Sequence, residues 1–591
     1  MNEKLTALRE WMLSNGFFGA VVPSADEYQS EYVAPCDRRL AWLTGFQGSS
    51  GEAVILLDRA FLFVDGRYIL QAQKETNPDD ITVIQTLDGL TADWLFAAFP
   101  ESARIGYDPR LFTPKAVQRM KAAAKNGAQI LPMPVDPIAA LWTDRPKTAS
   151  GWAVHLPEKY TGLDSTAKIA DVTASLNDDG DDAVIFTDPA SIAWLLNVRG
   201  NDIPYVPIVQ SFGVLYKNGT FQWLVDENKI TDALRAKLSP LVEIVPPSAL
   251  PHILEVFGAH AVKVQLDAAQ CSDMIYSTLT AGGAKVHEKE DPCLLRKACK
   301  NVVERDGAVT AHIKDGAAVC RFLAWFDKEA PKGELTETDT VEKIHEFRAE
   351  NPLYRGESFA TIAASGENAA YIHYQTGGEN NSPVKKNALF LIDSGGQYLD
   401  GTTDITRTVA VGNVSPLEKK RYTQVLKGHI ALATAVFPEG TCGAHLDVLA
   451  RQFLWRDGVD YQHGTGHGIG AYLSVHEGPQ RISKGLTKKP LSPGMLISNE
   501  PGYYKAGAFG IRLENIVMVE PLPATPAAEV RIFGLSTLTL VPFDRRLIDK
   551  TMMTPREIAW VDGYHARVRR LISPLVDPET ANWLAKACEP L

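Results

Sequence analysis

The sequence predicts an α/β (α+β) protein that is built from several domains, and three observations support this prediction. The chain has 591 residues, which is too long for a single hydrophobic core. Its first half contains two segments in which strand, helix and strand patterns follow in the same order. Its second half joins a long helical pattern to apolar strands that are separated by glycine turns.

The first residues, MNEKLTALREWMLSNG, predict an amphipathic helix. We do not expect a signal peptide, because Glu3 and Glu10 interrupt what would have to be an uncharged apolar core. No apolar run in the sequence approaches the roughly 20 residues that are needed to cross a bilayer.

Composition and charge narrow the class of protein. Hydrophobic residues make up 45% of the chain and charged residues 22%, as in an ordinary globular protein. The net charge of -11 argues against nucleic acid or an anionic membrane as the main partner. The seven cysteines form no CxxC pair, so we expect free thiols in a reducing compartment, the cytoplasm.

An internal repeat is predicted in the first half of the chain. GAVVPSADEY, LAWLTGF and FLFVDGRYI read as strand, helix and strand, and AVIFTDPAS, IAWLLNV and FQWLVDENKI read the same way later. The Ala-Trp-Leu of residues 41–43 returns at residues 193–195. Two copies of one α/β unit would place a domain boundary near LPMPVDP and TDRPKTASG. Chance similarity between two βα units is the alternative interpretation.

Two later changes of pattern complete the predicted domain organisation. Asp291 and Pro292 begin a predicted long helix, whose apolar residues recur every three or four positions. Strands and glycine turns follow it, and a helical pattern returns after Asp544. We therefore predict two α/β domains, a strand-rich domain with the candidate ligands and a small terminal module, at residues 1–150, 151–295, 296–530 and 531–591.

Two aspartates are predicted to meet on neighbouring strands. Asp393 ends the β-forming run LFLI, and Asp404 lies on the returning segment beyond the turn at Gly395 and Gly396. A hairpin-like pair of strands can bring two such carboxylates to the distance that a bridged metal pair needs. Asp400, between them, is interpreted as a turn residue. Taken alone, Asp393 would also be interpreted as a turn aspartate.

The motif HGTGHGIG contains His463 and His467, separated by glycines that make a helix unfavourable and let the backbone come close to a ligand. A phosphate-binding glycine loop is the competing interpretation, but the Lys-Ser/Thr that would follow is missing. Near carboxylates, one histidine becomes a candidate metal ligand and the other an acid, base or hydrogen-bond donor.

Two glutamates follow apolar runs further along the chain. Glu500 comes after an apolar strand and before a Pro-Gly turn, and Glu514 is predicted inside a strand of alternating pattern. A glutamate in such a setting is rarely buried unless it pairs with a cation or binds a metal. Arg512, two residues earlier on the same face, is the alternative partner of Glu514.

Together these motifs indicate a metal-dependent hydrolase. The five candidate ligands are Asp393, Asp404, His467, Glu500 and Glu514. Four carboxylates neutralise two divalent cations, and a bridged pair generates hydroxide at neutral pH. Oxygen-rich ligands with one imidazole suit manganese, cobalt, iron or zinc, whereas a structural zinc site prefers sulfur. We expect two divalent metal ions, with Mn2+ as the first choice and Zn2+, Co2+ or Fe2+ as alternatives.

The motifs also resemble a known family. IDSGGQYLDGTTDITRT, HGTGHGIG, NEPGYY and GIRLEN are similar to the pita-bread metallopeptidases of family M24. Nearly the whole chain resembles the long, three-domain Xaa-Pro aminopeptidases (aminopeptidase P), because PSADEYQSEYVAPCDRRLAWLTGFQGSSGEA, FVDGRYILQA and DPCLLRKACKN are similar to that family. The resemblance implies two creatinase-like N-terminal α/β domains, a pita-bread catalytic domain and a C-terminal peptidase M24 module.

The resemblance implies a role for each candidate ligand. Asp393 would bind one metal ion, Asp404 and Glu514 would bridge both ions, and His467 and Glu500 would hold the other. Glu500 would also handle the proton of a water or hydroxide that bridges the two ions. The implied activity is hydrolysis of the N-terminal Xaa-Pro bond of peptides, by a homodimer that associates through its last domain.

Further residues are implied around the ligands. His373 and His476 would orient the substrate carbonyl and stabilise the tetrahedral oxyanion, and His463 would line the proline side of the cleft. Arg67 would reach toward the substrate channel of an assembled dimer. Additional candidates for contact with the substrate are Tyr503 and its neighbour Tyr504, Arg512 and His467.

Three alternative functions stay open at this point. A prolidase would cleave Xaa-Pro dipeptides only, and the two leading domains with GRYILQA favour the aminopeptidase. Methionine aminopeptidases usually lack such large leading domains. Some pita-bread folds are binding modules such as histone-chaperone domains, and creatinase-like relatives act without metals. All five ligand positions are present here, which favours an enzyme.

Overall fold

The computed structural model describes residues 2–86, 93–378, 381–524, 526 and 528–591 of the chain. The chain divides into two compact units, residues 1–294 and 295–591. Within the described ranges, none of the helices combines the length and the apolar character that a bilayer crossing requires.

The first unit begins with a six-stranded sheet. Its strands are β1 (Gly19–Pro23), β2 (Glu52–Leu56), β3 (Ala60–Val64), β4 (Thr82–Gln85), β5 (Arg104–Tyr107) and β6 (Gln129–Pro132). They lie in the order β4-β3-β2-β1-β5-β6, in which β1–β2 and β2–β3 are antiparallel and the other pairs are parallel.

Helices cover both faces of this sheet. They are α1 (Glu3–Ser14), α2 (Arg39–Thr44), α3 (Ile69–Glu75), α4 (Asp93–Ala97), α5 (Pro114–Ala123) and α6 (Pro137–Leu141). Successive side chains of β1 enter different cores, because strand residues alternate between faces. Ala20 and Val22 pack in one core with Leu8 of the predicted N-terminal helix, whereas Val21 packs in the other core with Phe96.

A second six-stranded sheet follows in the same unit. Its strands are β8 (Ala183–Phe186), β10 (Phe212–Tyr216), β11 (Phe221–Leu224), β12 (Val242–Val245), β13 (Lys263–Leu266) and β14 (Lys285–Glu288), and β7 (Val154–His155) pairs separately with β9 (Val198–Arg199). Its helices are α7 (Glu158–Thr161), α8 (Ser165–Asp178), α9 (Pro189–Leu195), α10 (Asp232–Leu238), α11 (Leu250–Ala259) and α12 (Asp273–Gly282).

The two sheets have one topology, which confirms the predicted repeat. The second sheet has the order β12-β11-β10-β8-β13-β14. Its pairs follow the same sequence of antiparallel and parallel ladders as those of the first sheet. The two Ala-Trp-Leu motifs lie in the equivalent helices α2 and α9.

The second unit surrounds the candidate ligands with two main sheets. Its strands are β15 (Tyr354–Glu357), β16 (Ile362–Ser365), β17 (Ala388–Ser394), β18 (Gly396–Tyr398), β19 (Gly401–Thr402), β20 (Ile405–Val411), β21 (Val436–Pro438), β22 (Gly466–Gly468), β23 (Glu477–Ile482), β24 (Leu496–Asn499), β25 (Gly502–Lys505), β26 (Phe509–Arg512), β27 (Asn515–Pro521) and β28 (Ile532–Thr537). One sheet has the order β16-β17-β20, and the other has the order β21-β28-β27-β24-β22-β23. The smaller sheets are β15-β18-β19 and β25-β26.

The helices near the second unit are α13 (Pro292–Ala298), α14 (Val302–Glu329), α15 (Glu337–Ala349), α16 (Pro416–Ala433), α17 (Gly443–Trp455), α18 (Pro555–Ile572) and α19 (Pro578–Ala587). Capping boxes begin several of them, as in α16, where Ser415 and Glu418 satisfy each other's backbone N–H groups. The helical pattern predicted after Asp544 is therefore confirmed by α18.

The predicted long helix after Asp291 is wrong in one respect, because it is two helices. The chain leaves helical geometry at Cys299, which forms a bridge with Met495, and Asn301 then caps α14. Two of the apolar positions that suggested continuity, Leu295 and Val302, are exposed. Helical spacing runs across the break, so periodicity alone did not reveal it.

Candidate metal centre

The central strand pair brings Asp393 and Asp404 together, as predicted. Strand β17 pairs antiparallel with β20, so that Asp393 lies opposite Thr406, and Asp404 immediately precedes β20. Both carboxylates are buried. One oxygen from each of these aspartates and one from Glu514 lie within 4.8 Å of one another. Asp400 lies in the turn between them and pairs with Lys314 over 2.5 Å.

His467 enters the same site from the short strand β22. Its ring Nδ1 hydrogen-bonds the carbonyl oxygen of Gly468 over 3.0 Å. This bond leaves Nε2 directed at the acids, 3.5 Å from a carboxylate oxygen of Asp404 and 3.5 Å from one of Glu500. A metal-binding histidine is commonly oriented in this way by a hydrogen bond from its other nitrogen.

The glycines around His467 permit this approach of strands. A Cβ on Gly466 would stand 2.0 Å from the carbonyl oxygen of Ser498, and a Cβ on Gly468 would stand 2.2 Å from that of Glu477. Neither contact is sterically allowed, so only glycine fits at these two positions. These glycines thus allow close approach of neighbouring strands, and the predicted approach of their backbone to a ligand stays a prediction.

Glu500 and Glu514 complete the cluster, but Glu514 is not inside a strand as predicted. Glu500 directly follows β24, and its oxygen accepts a hydrogen bond from Ser498 over 3.2 Å. Glu514 lies at the crossing from β26 to β27, where the chain passes from one sheet to another. Its N–H donates to the carbonyl oxygen of Thr406. The alternating pattern of the sequence continues through this crossing, which explains the wrong assignment.

Electrostatics make the cluster a site for positive charge. Burial raises the pKa of the carboxyls of Asp393, Glu500 and Glu514, and the charges of neighbouring carboxylates act in the same direction. Burial alone would lower the pKa of His467, but Asp404 and Glu500 outweigh it and raise that pKa to about 9. Cations placed among these groups would relieve the repulsion between the carboxylates.

The donor set fits a pair of divalent ions. Three overlapping groups of side chains each offer three ligand atoms within 4.8 Å: Asp393 with Asp404 and Glu514, His467 with Glu500 and Glu514, and Asp404 with His467 and His476. Within the described part of the chain, one oxygen of Asp393 and one of Asp404 are buried without a hydrogen-bond partner. Buried oxygens of this kind are expected where a ligand completes their coordination.

Arg512 supports Asp393 and is not the partner of Glu514, so that alternative is wrong. Its guanidinium donates to Asp393 over 2.5 Å, to the Thr406 hydroxyl over 3.2 Å and to the Tyr504 hydroxyl over 2.7 Å. The side chain is 3% exposed. Arg512 therefore orients Asp393, and its predicted contact with a substrate stays a prediction.

Of the two neighbouring tyrosines, Tyr504 borders the site and Tyr503 does not. The Tyr504 hydroxyl bonds Nε2 of His463 over 2.9 Å. Tyr503 lies on the opposite face of β25, where it packs against Phe509 and below Arg421. Successive residues of a strand point to opposite faces, so the ring of Tyr503 lies on the other side of β25 from Tyr504, and its predicted contact with the substrate stays a prediction.

The remaining predicted residues are His476, His373 and Arg67. His476 packs edge-on against His467, with ring centroids 4.3 Å apart. The half-buried His373 follows Ile372, whose carbonyl oxygen accepts a hydrogen bond from Arg512 over 3.4 Å. Arg67 belongs to the first unit, where it forms an ion pair with Asp65 over 2.7 Å.

Sequence reasoning missed the threonines of β20. The Thr406 hydroxyl donates to Glu514 over 2.8 Å, and the Thr408 hydroxyl donates to the carbonyl oxygen of Arg512 over 3.1 Å. Asp404, Thr406 and Thr408 occupy alternate positions and so share one face. The period of two in DITRT was the signal that could have found them.

Comparison with known families agrees with these domains and motifs. The model of metallopeptidase family M24 matches residues 307–521, and the C-terminal region of peptidase M24 matches residues 531–591. Two matches to the creatinase/prolidase N-terminal domain cover residues 4–138 and 144–304, one over each repeat.

The chain is similar to curated proteins over its full length. It is 38% identical to a probable Xaa-Pro aminopeptidase P of Aspergillus niger, over 100% of this chain and 99% of the relative. It is 36% identical to aminopeptidase P1 of Lotus japonicus, over 100% of both chains.

Solved structures of peptidases are also similar to this chain. The X-prolyl aminopeptidase of Caenorhabditis elegans, described as a cytosolic enzyme with a di-nuclear active site, has a TM-score of 0.95 at 34% identity, over 100% of this chain and 99% of that one. An Xaa-Pro dipeptidase of Bacillus anthracis has a TM-score of 0.52 at 21% identity, over 64% of this chain and 99% of that one. The second likeness shows a shared fold alone.

Proposed function

The chain belongs to metallopeptidase family M24, in its full-length Xaa-Pro aminopeptidase P group, and from this premise we propose that it removes the N-terminal residue of peptides with proline in second place. One observation carries the proposal: Asp393, Asp404, His467, Glu500 and Glu514 converge on one buried site. Two divalent metal ions held by these residues would supply a hydroxide nucleophile at neutral pH and positive charge for the substrate carbonyl. We propose Mn2+ as the native metal.

Two of the overlapping groups, Asp393 with Asp404 and Glu514, and His467 with Glu500 and Glu514, support the ligand roles that we propose. Glu514 is common to both, and Asp404 lies in one group while also approaching His467 of the other. These two residues therefore suit the bridging positions. Asp393, held by Arg512, suits one ion, and His467 with Glu500 suits the other.

Glu500 is the group we assign to proton transfer. One of its oxygens accepts from Ser498, and the other lies 3.8 Å from Nδ1 of His463. Burial raises the pKa of its carboxyl. A carboxylate with a raised pKa can take a proton from the nucleophile and return it to the proline nitrogen when the C–N bond breaks.

Histidines stabilise the reacting carbonyl and the proline side of the cleft. We assign His476, against His467, and His373 to the carbonyl oxygen, where their N–H groups oppose the charge of the tetrahedral intermediate. His463 is held between the Gly464 carbonyl oxygen and the Tyr504 hydroxyl, and we assign it to the proline side.

This chemistry suits an Xaa-Pro bond. The bond to proline is a tertiary amide with no N–H, and its ring obstructs ordinary peptidase geometry. Attack by a preformed nucleophile on a polarised carbonyl does not require that N–H. A carboxylate and a metal ion that bind the N-terminal amine of the substrate would give specificity for a free amino terminus. The enzyme would then be an exopeptidase.

Prolidase, the nearest alternative, is supported less well. The X-prolyl aminopeptidase of Caenorhabditis elegans and the aminopeptidases P of Aspergillus niger and Lotus japonicus match this chain over its full length, including both repeats, at 34%, 38% and 36% identity. We therefore propose peptides, and not Xaa-Pro dipeptides alone, as substrates.

Three further features belong to the proposal. The relative from Caenorhabditis elegans is described as cytosolic and all seven cysteines here are free thiols, so we propose a cytoplasmic enzyme. We propose a homodimer, in which Arg67 contributes to the substrate channel. We also keep the division at residues 1–150, 151–295, 296–530 and 531–591 as the proposed domains.

The test is cleavage of Xaa-Pro-Xaa tripeptides beside Xaa-Pro dipeptides and Met-Ala-Xaa peptides, on metal-stripped protein with and without Mn2+. We expect metal-dependent release of the first residue from the Xaa-Pro tripeptide. Cleavage of the dipeptide alone would assign the chain to prolidase. Cleavage of none of the three would contradict the enzymatic proposal and favour a binding module.

A further inference from the structure

A buried carboxylate outside the metal site has no role in the mechanism described so far. Glu337 is the first residue of α15, and its side chain is completely buried, with 0% exposure. Within the described part of the chain, its recorded hydrogen bonds all come from uncharged donors. A buried carboxylate without a cation partner is costly, so its position requires an explanation.

Its four hydrogen-bond donors come from one stretch of chain. Oε1 of Glu337 accepts from the backbone N–H of Ser365 over 2.7 Å and from the Asn368 amide over 2.9 Å. Oε2 accepts from the Tyr374 hydroxyl over 2.8 Å and from the backbone N–H of Ser382 over 3.3 Å. These donors lie before, within and after the segment of residues 366–378, here called the His373 segment.

The His373 segment needs such an anchor, because it has little regular structure of its own. Beyond one turn of 3-10 helix at Gly366–Ala370, it contains no further helix and none of the strands β1 to β28. Gly377 and Gly378 both have positive φ, at 111° and 57°. Backbone of this kind is held by side-chain contacts more than by its own hydrogen bonds.

Tyr374, which donates a hydrogen bond to Glu337, is the next residue after His373 and therefore restrains the backbone of His373. The residue on the other side, Ile372, is fixed through its carbonyl oxygen by Arg512, which also holds Asp393. Thr376 exchanges two hydrogen bonds with the backbone of Ala363 in β16. His373 therefore lies between anchors, one to the ligand set and one to Glu337.

The anchor requires the ionised carboxylate. Each oxygen meets two N–H or O–H donors, so a carboxylate, which only accepts, satisfies all four. The amide of a glutamine in this position would direct its NH2 group at the two donors that now meet one carboxylate oxygen. Glu337→Gln therefore keeps the size of the side chain and removes half of its acceptors.

We propose that Glu337 is a positioning residue for His373. By fixing Asn368 and Tyr374 on either side of His373, Glu337 keeps the His373 side chain at the substrate carbonyl. This inference rests on the proposed function, in which His373 donates to the carbonyl oxygen. Glu337 itself touches neither substrate nor metal in this proposal. Its effect on the reaction passes through His373 alone.

The test is a double-mutant cycle of Glu337→Gln and His373→Ala, with metal content, kcat and KM measured for each variant. We expect Glu337→Gln to lower kcat by roughly tenfold to hundredfold, the scale of a misplaced catalytic group, at near-normal KM and metal content. In the His373→Ala background the same substitution should change kcat by less than about twofold, because the group it positions is gone. An equal loss of kcat in both backgrounds would overturn the proposal.

Two variants and one measurement without substrate keep the test decisive. Asp339→Asn, an equivalent change in the first turn of the same helix, alters the cap at Thr336 and should leave kcat unchanged. Tyr374→Phe removes one donor and should give a smaller loss, again only when His373 is present. Hydrogen exchange of a peptide spanning the His373 segment should accelerate in Glu337→Gln and stay normal in Asp339→Asn.

The exchange measurement separates this inference from the proposed function. If the wild-type protein cleaved no peptide, the proposed function would fail while faster exchange would still show the anchor. If peptides are cleaved but exchange in Glu337→Gln matches the wild type, the anchor is absent and the inference fails alone.

Discussion

The guanidinium of Arg407 donates a hydrogen bond to the backbone carbonyl oxygen of Glu514 across 2.6 Å. Another of its nitrogens binds the carbonyl oxygen of Val541 over 2.7 Å and the hydroxyl of Tyr564, in α18, over 3.1 Å. Arg407 is 1% exposed. One buried side chain thus joins a candidate metal ligand to the C-terminal module.

Replacing Arg407 with lysine should destabilise the protein and weaken metal binding. A single ammonium cannot reach all the carbonyl oxygens that the guanidinium satisfies, and each buried acceptor left alone costs about 1–3 kcal/mol. We expect a loss of about 3 kcal/mol in urea unfolding and roughly tenfold weaker metal binding, the scale of a lost supporting contact. Arg531→Lys, at a pair with Glu439 that is 69% exposed on the arginine side, is the control and should change stability by less than about 0.5 kcal/mol. Unchanged stability of Arg407→Lys would contradict this role.

Asp404→Ala should abolish two-metal binding and activity together, because the residue approaches both ligand groups. Metal content after dialysis and turnover of an Xaa-Pro tripeptide are the two measurements. Asp400→Ala is the matched control in the same motif, since Asp400 pairs with Lys314 in the turn and should leave both quantities near normal. Near-normal turnover of Asp404→Ala would reject its bridging assignment.

His373→Ala should lower kcat by roughly 10²-fold or more and leave metal content intact, the size expected for a lost oxyanion donor. The exposed His345, which bonds Tyr354, provides the control variant His345→Ala. A normal kcat in His373→Ala would mean that the histidine is structural and would remove the basis for assigning it to the carbonyl.

Acid should destabilise the protein partly through His565. Burial, together with the charges of Arg407 and Arg545, lowers the pKa of His565 to about 3. Its unfolded pKa is near 6.5, so between these values the unfolded state takes up a proton that the folded state refuses. Stability is therefore lost as the pH falls from about 6.5, by at most about 1.4 kcal/mol per pH unit from this group.

The variant His565→Gln tests this dependence. Its amide oxygen can still accept the N–H of Phe543, which now donates to Nε2 of the histidine over 3.1 Å. Urea unfolding at pH 7.5, 6.5 and 5.5 should show a shallower decline for the variant than for the wild type. Parallel declines would exclude His565 as a contributor.

Much of the fold and of the ligand set was predictable from the sequence, because the signals are local. The repeat is visible in Ala-Trp-Leu and its flanking strands, and each acid follows an apolar run or a turn. A buried charge in such a setting has few explanations other than pairing or metal binding. This argument found Asp393 and Asp404 without any knowledge of their distance.

The errors lie where tertiary contacts override a local pattern. The break at Cys299 is imposed by Met495, which is far away in sequence, and the crossing at Glu514 is imposed by the separation of two sheets. Glu337 was not found because its donors follow it by 28 to 45 residues. The sequence around Glu337 reads as an ordinary helix start, since a capping box is also present there.

The pairing of β28 has a consequence for how the protein matures. This strand comes late in the chain, yet it lies between β27 and β21, inside the sheet that carries His467. During synthesis all five ligands leave the ribosome before this strand and before Tyr564, which bonds Arg407. A nascent chain that already contains every ligand therefore still lacks the strand that completes the sheet between β27 and β21.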